Sequence, residues 1–128
     1  MTIHPLEPPR DFSSPLHAQG VVAEGVERFA FVSGQVGVRP DGSSGDGIEE
    51  QTRIAFENVS RILAETDLHL RDVVSLRIHL IRHEDIPAFT SVARELLDGH
   101  RPASTLLVQE HLAAPGLLVQ VEAIAVGR

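Results

Sequence analysis

Gln120 and Glu122 alternate along the apolar run 117–126, which places an amide and a carboxylate on one face of a strand among Leu118 and Ile124. Glu122 is a candidate proton-handling group in a cleft, or one half of an ion pair with Arg77 at a subunit interface. In "HRPASTLLVQE", residues 100–110, Ser104 and Thr105 follow Pro102 and Ala103 directly. Their hydroxyls either line a pocket or satisfy backbone groups where the chain enters a strand. Seven histidines are present, but no pair has the spacing that sets two imidazoles on one helical face. His79 and His83 are four apart, yet the helical pattern begins only after His83. His100 and His111 read as solvated turn residues, with acid–base work beside a cleft as the alternative. No Ser-His-Asp order, metal motif or dinucleotide fingerprint stands out.

Composition removes several further chemistries. Without cysteine there is no disulfide framework, no thiolate nucleophile and no zinc site built on sulfur. A net charge of -7, with no long Lys/Arg run, argues against a nucleic-acid backbone as partner. Tyr and Trp are absent too, so base stacking would fall to five Phe or to His. No segment approaches the roughly 20 apolar residues of a membrane helix, and the first 15 residues lack the pattern of a signal peptide. We therefore expect a cytoplasmic protein that uses neither membrane nor nucleic acid. At 128 residues the expectation is one domain, 1–128, with residues 1–16 as an extended arm rich in proline.

The elements that must position these groups follow from periodicity. "AQGVVAEGVERFAFVS", residues 18–33, predicts a hairpin that turns near Glu24 and Gly25, with a buried second strand because apolar residues occupy both of its faces. "RPDGSSGDG", residues 39–47, is a surface loop; it lacks the Gly-Lys-Ser/Thr ending of a phosphate loop. Asp46 is expected to cap a helix through its side chain. The stripe Ile48, Thr52, Ala55, Val59, Ile62 and Thr66, joined by Phe56 and Leu63, faces the core.

In "DVVSLRIHLI", residues 72–81, Val74, Leu76, Ile78 and Leu80 point one way, and Ser75, Arg77 and His79 the other. A second helix follows, capped at Asp85, with Pro87 in its first turn, Phe89, Val92 and Leu96 inward, and Gly99 at its end. Strands at 105–109 and 117–126 complete the chain. The order gives an α+β fold: a mixed sheet of five or six strands with both helices on one face. Its other face needs cover, and self-association supplies it.

Four segments together resemble the RidA/YjgF family of reactive-intermediate deaminases: "FVSGQVGVRPDG" (31–42), "QTRIAFENVSRILAETDLHLRDVVSLRIHLI" (51–81), "RPASTLLV" (101–108) and "VQVEAIAV" (119–126). The resemblance implies a chorismate-mutase-like subunit in a homotrimer, with small-metabolite clefts between subunits and no metal or cofactor. Members that hydrolyse enamines and imines such as 2-aminoacrylate use an arginine to hold the substrate carboxylate and a glutamate to position water. Those positions fall here on Ser104 and Gln120. The cysteine two positions after the arginine is Leu106, and the expected tyrosine is Leu16 or His17.

Serine offers one hydroxyl in place of a charged fork, and glutamine cannot take a proton from water. The expectation is therefore altered or weak imine hydrolysis and a ligand less dependent on a free carboxylate. Ser33, Gly34, Ser104, Thr105 and Gln120 are the expected cleft residues, Gly34 because a glycine lets a ligand approach the backbone. No catalytic residue is assigned. The alternative from another class is a non-enzymatic ligand-sensing or protein-binding trimer. Endoribonuclease activity stands third.

Overall fold

The computed structural model describes residues 1–10 and 14–128. Strands β1 (Thr2–Leu6) and β2 (Gly20–Glu24) form an antiparallel ribbon. Strands β3 (Arg28–Val36), β4 (Val73–Leu80), β5 (Ala103–Val108) and β6 (Val119–Gly127) form a sheet in the order β3-β6-β4-β5. Helices α1 (Gly47–Ala64) and α2 (Ile86–Leu97) cover one of its faces. The pairing of β4 with β5 is parallel and the other two ladders are antiparallel, so the sheet is mixed. An isolated bridge from Ala18 to Ala103 sets the segment before β2 beside the β5 edge, so the six strands divide into a four-stranded sheet and a two-stranded ribbon.

The core lies between helices and sheet. Leu76, Ile78 and Leu80 of β4 are all buried, and each contributes about 1.5–3 kcal/mol relative to exposure. Opposite them, Ala55, Phe56, Val59 and Leu63 of α1 meet Phe89, Ala93 and Leu97 of α2. The rings of Phe56 and Phe89 lie 6.2 Å apart, tilted by 30°, and lock the two helices together. Gln51 is buried too, one of three buried polar residues with Thr52 and Asp85 among the described residues. It donates to the carbonyls of Gly45 and Gly116 and accepts from the N–H of Leu118, fastening the 37–47 loop to the approach of β6.

Several local expectations need correction. β2 and β3 do not pair: the chain turns at Gly25, φ 69°, but β2 joins β1 and β3 joins β6. Nor is β3 buried in the single chain, since Phe29 is 62% and Phe31 74% exposed. The arm 1–16 is more than extended, because its first residues form β1. Asp46 occupies the N-cap position of α1 without a side-chain cap bond; Glu50 accepts the Asp46 N–H instead, at 2.9 Å.

A register irregularity between Val73 and Ser75 puts Val73, not Val74, into the core. Ile62 is exposed, and Leu97 rather than Leu96 is the buried residue at the end of α2. Asp85 precedes α2 without a side-chain cap bond, its carboxylate being taken up by Arg82. A left-handed Asp98 and then Gly99 end the helix.

Candidate functional site on the open sheet face

Register fixes which side chains share the face that the helices leave open. One row across the sheet runs Thr105 of β5, Arg77 of β4 and Glu122 of β6; the next runs Leu107, His79, Gln120 and Val36. On β3 the ladder slips between Val32 and Gln35, so Ser33 and Gly34 together oppose Glu122. This bulge bends the strand and brings Gly34 under the neighbouring side chain. A Cβ on Gly34 would sit 2.6 Å from Gln120 Cδ and 2.8 Å from Cγ, inside any real contact. A side chain at position 34 would have to push the Gln120 side chain aside.

Of the five expected cleft residues, one chain brings Ser33, Gly34 and Gln120 together on this face. Thr105 joins the same face from the far edge of the sheet. Ser104 does not: it lies opposite Leu76, a buried core residue, and so projects towards the helix side. Neither Ser104 nor Thr105 makes a side-chain hydrogen bond among the described residues. The reading in which these two hydroxyls tie down backbone at the strand entry therefore has no contact behind it.

Within the single chain Glu122 is paired with His79 rather than with Arg77. Its Oε2 lies 2.6 Å from His79 Nε2, and His79 Nδ1 lies 2.7 Å from Gln109 Oε1. Gln109 also donates from Nε2 to the His111 carbonyl at 2.9 Å, which orients its oxygen towards the imidazole. His79 Nδ1 then donates to Gln109, while Nε2 faces the Glu122 carboxylate. Sequence reasoning missed this chain. Alternation placed His79 on the face of Glu122, but Gln109 reaches it only because the β4–β5 ladder is parallel and continues through Gln109 N–H to Leu80 O.

The remaining histidines sort differently. His100 is not a solvated turn residue: it is half-buried, and its Nε2 donates to the Val73 carbonyl at 2.6 Å. His111 is exposed beside Glu110, as expected of a turn residue. His17 contributes its carbonyl to Arg101, a residue whose role sequence did not suggest. The Arg101 guanidinium also holds Ser14 O and Glu7 Oε1, both at 2.9 Å, and so ties the arm to the start of β5. Among the described residues no group of three or more His, Asp or Glu could hold a metal ion, and no helix is long and apolar enough to cross a membrane.

Two helices on one face of a mixed sheet, with the other face uncovered, define an α+β fold of the YjgF type. The Endoribonuclease L-PSP family matches residues 14–127, and the chain belongs to this family, which includes the Rid and YjgF proteins. A RutC family protein of Pyrococcus abyssi is 33% identical over 103 residues, 78% of this chain and 80% of that one. The Rid-family protein YyfB of Yersinia pestis, whose function is unknown, superposes with a TM-score of 0.88 over 98% of this chain and 99% of its own. At 24% identity that likeness concerns the fold. TdcF of E. coli, solved with bound serine, is 26% identical with a TM-score of 0.74, over 88% of each chain.

Proposed function

We propose that the chain is a single-domain subunit of a homotrimer whose intersubunit cleft binds a small metabolite through Ser33, Gly34, Ser104, Thr105 and Gln120. One observation carries this reading: Ser104 and Gln120 project from opposite faces of the same sheet, so a site that uses both has to be completed by a neighbouring copy. The exposure of Phe29 and Phe31 on the uncovered strand supports association. Bound serine in TdcF supports a ligand of amino-acid size.

The reaction is hydrolysis of an enamine or imine in altered or weak form. Water adds to the C=N carbon as one of its protons passes to nitrogen, and the remaining hydroxyl proton follows as the carbonyl forms and ammonia leaves. Ser104 can donate one hydrogen bond to such a substrate, and Gln120 can orient the water without taking its proton. Sedimentation equilibrium and a 2-aminoacrylate assay coupled to a dehydratase test the proposal together. The expected result is a trimer with turnover at least about tenfold below that of members that carry both charged groups. A monomer at micromolar concentration, or full turnover, overturns it.

The second reading, a non-enzymatic ligand-sensing or protein-binding trimer, is favoured by the replacement of both charged groups at once. It gains if Ser104→Arg with Gln120→Glu creates a deaminase activity that the parent lacks. Cleavage of RNA fits least, given the net charge of -7 and the absence of Tyr and Trp.

A further inference from the structure

Glu122 has two partners within reach on the open face. Its Oε2 lies 2.6 Å from His79 Nε2, while Arg77 stands directly across from it on the adjacent antiparallel strand, the placement in which a cross-strand ion pair forms. Arg77 makes no hydrogen bond or ion pair among the described residues. It lines a cavity of about 230 Å³ together with Glu122, so the carboxylate has room to turn from one partner to the other.

A proton decides between them. A contact of 2.6 Å between a ring nitrogen and a carboxylate oxygen is a hydrogen bond only with a hydrogen between the two. Gln109 claims the other ring nitrogen: its Nε2 donates to the His111 carbonyl, which turns its Oε1 towards His79 Nδ1 and calls for the proton there. An imidazole with a single proton then keeps it on Nδ1, and Nε2 meets the carboxylate with a bare lone pair. Arg77 and Glu122 are the charged neighbours of His79 on β4 and β6. Beside them β6 brings Gln120, β5 brings Thr105 and Leu107, β3 brings Ser33 and Val36, and Glu110 and His111 lie exposed beyond β5.

We infer that Glu122 exchanges His79 for Arg77 when the imidazole gives up its second proton, with Gln109 as the positioning residue that makes the exchange obligatory. In acid the carboxylate rests on His79 and Arg77 is left open. In base it rests on Arg77 beside a neutral His79. The three groups together are neutral in base and carry one positive charge in acid. One consequence rests on the reading of this face as a contact between copies: association buries the trio, so the charge gained in acid loosens the assembly.

The test records ¹⁵N spectra of the histidine rings and water exchange of the Arg77 Nε–H in the full-length protein, from about pH 5.5 to about pH 8.5. The samples are the parent, Gln109→Leu and Glu122→Gln, with His79→Asn to assign the ring, and each is also sedimented. Neutral His79 is expected to hold its proton on Nδ1 in the parent and on Nε2 in Gln109→Leu. At about pH 8.5 the Arg77 Nε–H should exchange at least about fivefold more slowly in the parent than in Glu122→Gln, and at about pH 5.5 equally fast. The parent assembly should dissociate at least about tenfold more readily at the acid end, a difference that His79→Asn should lack.

A neutral His79 protonated on Nε2 in the parent overturns the role of Gln109 and the obligatory exchange with it. Arg77 exchange that ignores Glu122 at both ends of the range overturns the ion pair. A monomer at every pH overturns the contact between copies while the spectra still decide the exchange. A trimer that dissociates equally at both ends overturns the loosening in acid.

Discussion

The Gln120 side chain lies flat across Gly34, the amide of β6 resting on the bulge of β3. In this rotamer the Gln120 side chain occupies the space that a Cβ on position 34 would take. This contact sets the shape of the candidate cleft without any hydrogen bond.

Gly34→Ala should therefore displace the Gln120 side chain and destabilise the chain by about 0.5–1.5 kcal/mol, the cost of forcing a side chain off its rotamer. Gln120→Ala removes the obstructing atoms, so the double variant should recover most of that loss. Urea midpoints for the four proteins give the coupling directly. Purely additive effects would mean that the crowding lies elsewhere.

Arg101 holds Glu7, Ser14 and His17 at distances of 2.9 to 3.0 Å. Arg101→Ala should cost about 1–3 kcal/mol, since it strands polar partners of a charged donor. Hydrogen exchange should quicken first in β1 and β2, with the β4–β6 ladder little affected. Uniform acceleration across the sheet would show that the arm is not a separable unit.

Acid should expose the start of α1. Glu50 is held below its ordinary range, first by the Asp46 N–H that it accepts and then by Arg39. A carboxylate depressed on folding contributes stability that is present above its unfolded pKa and disappears as pH falls through the folded one. Glu50→Gln should accordingly flatten the acid limb of the stability curve while leaving its neutral plateau shifted by a constant amount. An unchanged acid limb, read by thermal melts between pH 3 and about pH 6, would assign the loss to other carboxylates.

The elements were legible where one periodicity ran long enough to decide a face. Leu76, Ile78 and Leu80 alternate, and the stripe of α1 recurs every three or four residues, so the sequence predicts both correctly. The partners of strands were not legible, because apolar pattern identifies a strand but not the edge it joins. Thus the turn at Gly25 is real, yet the ladder expected after it is absent. β3 was read as buried from Phe29 and Phe31, residues that one chain leaves in solvent.

The site was half legible in the same way. Gly34 meets Gln120 on the open face, and the bulge that brings them together follows from ladder register. The link from Glu122 through His79 to Gln109 spans three separate segments, and only their pairing reveals it.

The position of β6 between β3 and β4 also bears on how the protein is made. The strand that holds the sheet together occupies residues 119–127, so during synthesis β3, β4 and β5 emerge before the partner that joins them. Helix α1 can begin to pack on α2 and β3 beforehand, but the β3 edge stays unpaired until translation has passed Gly127. A nascent chain stalled before that point presents Phe29 and Phe31 on an open strand, the kind of surface that chaperones bind and that aggregation exploits.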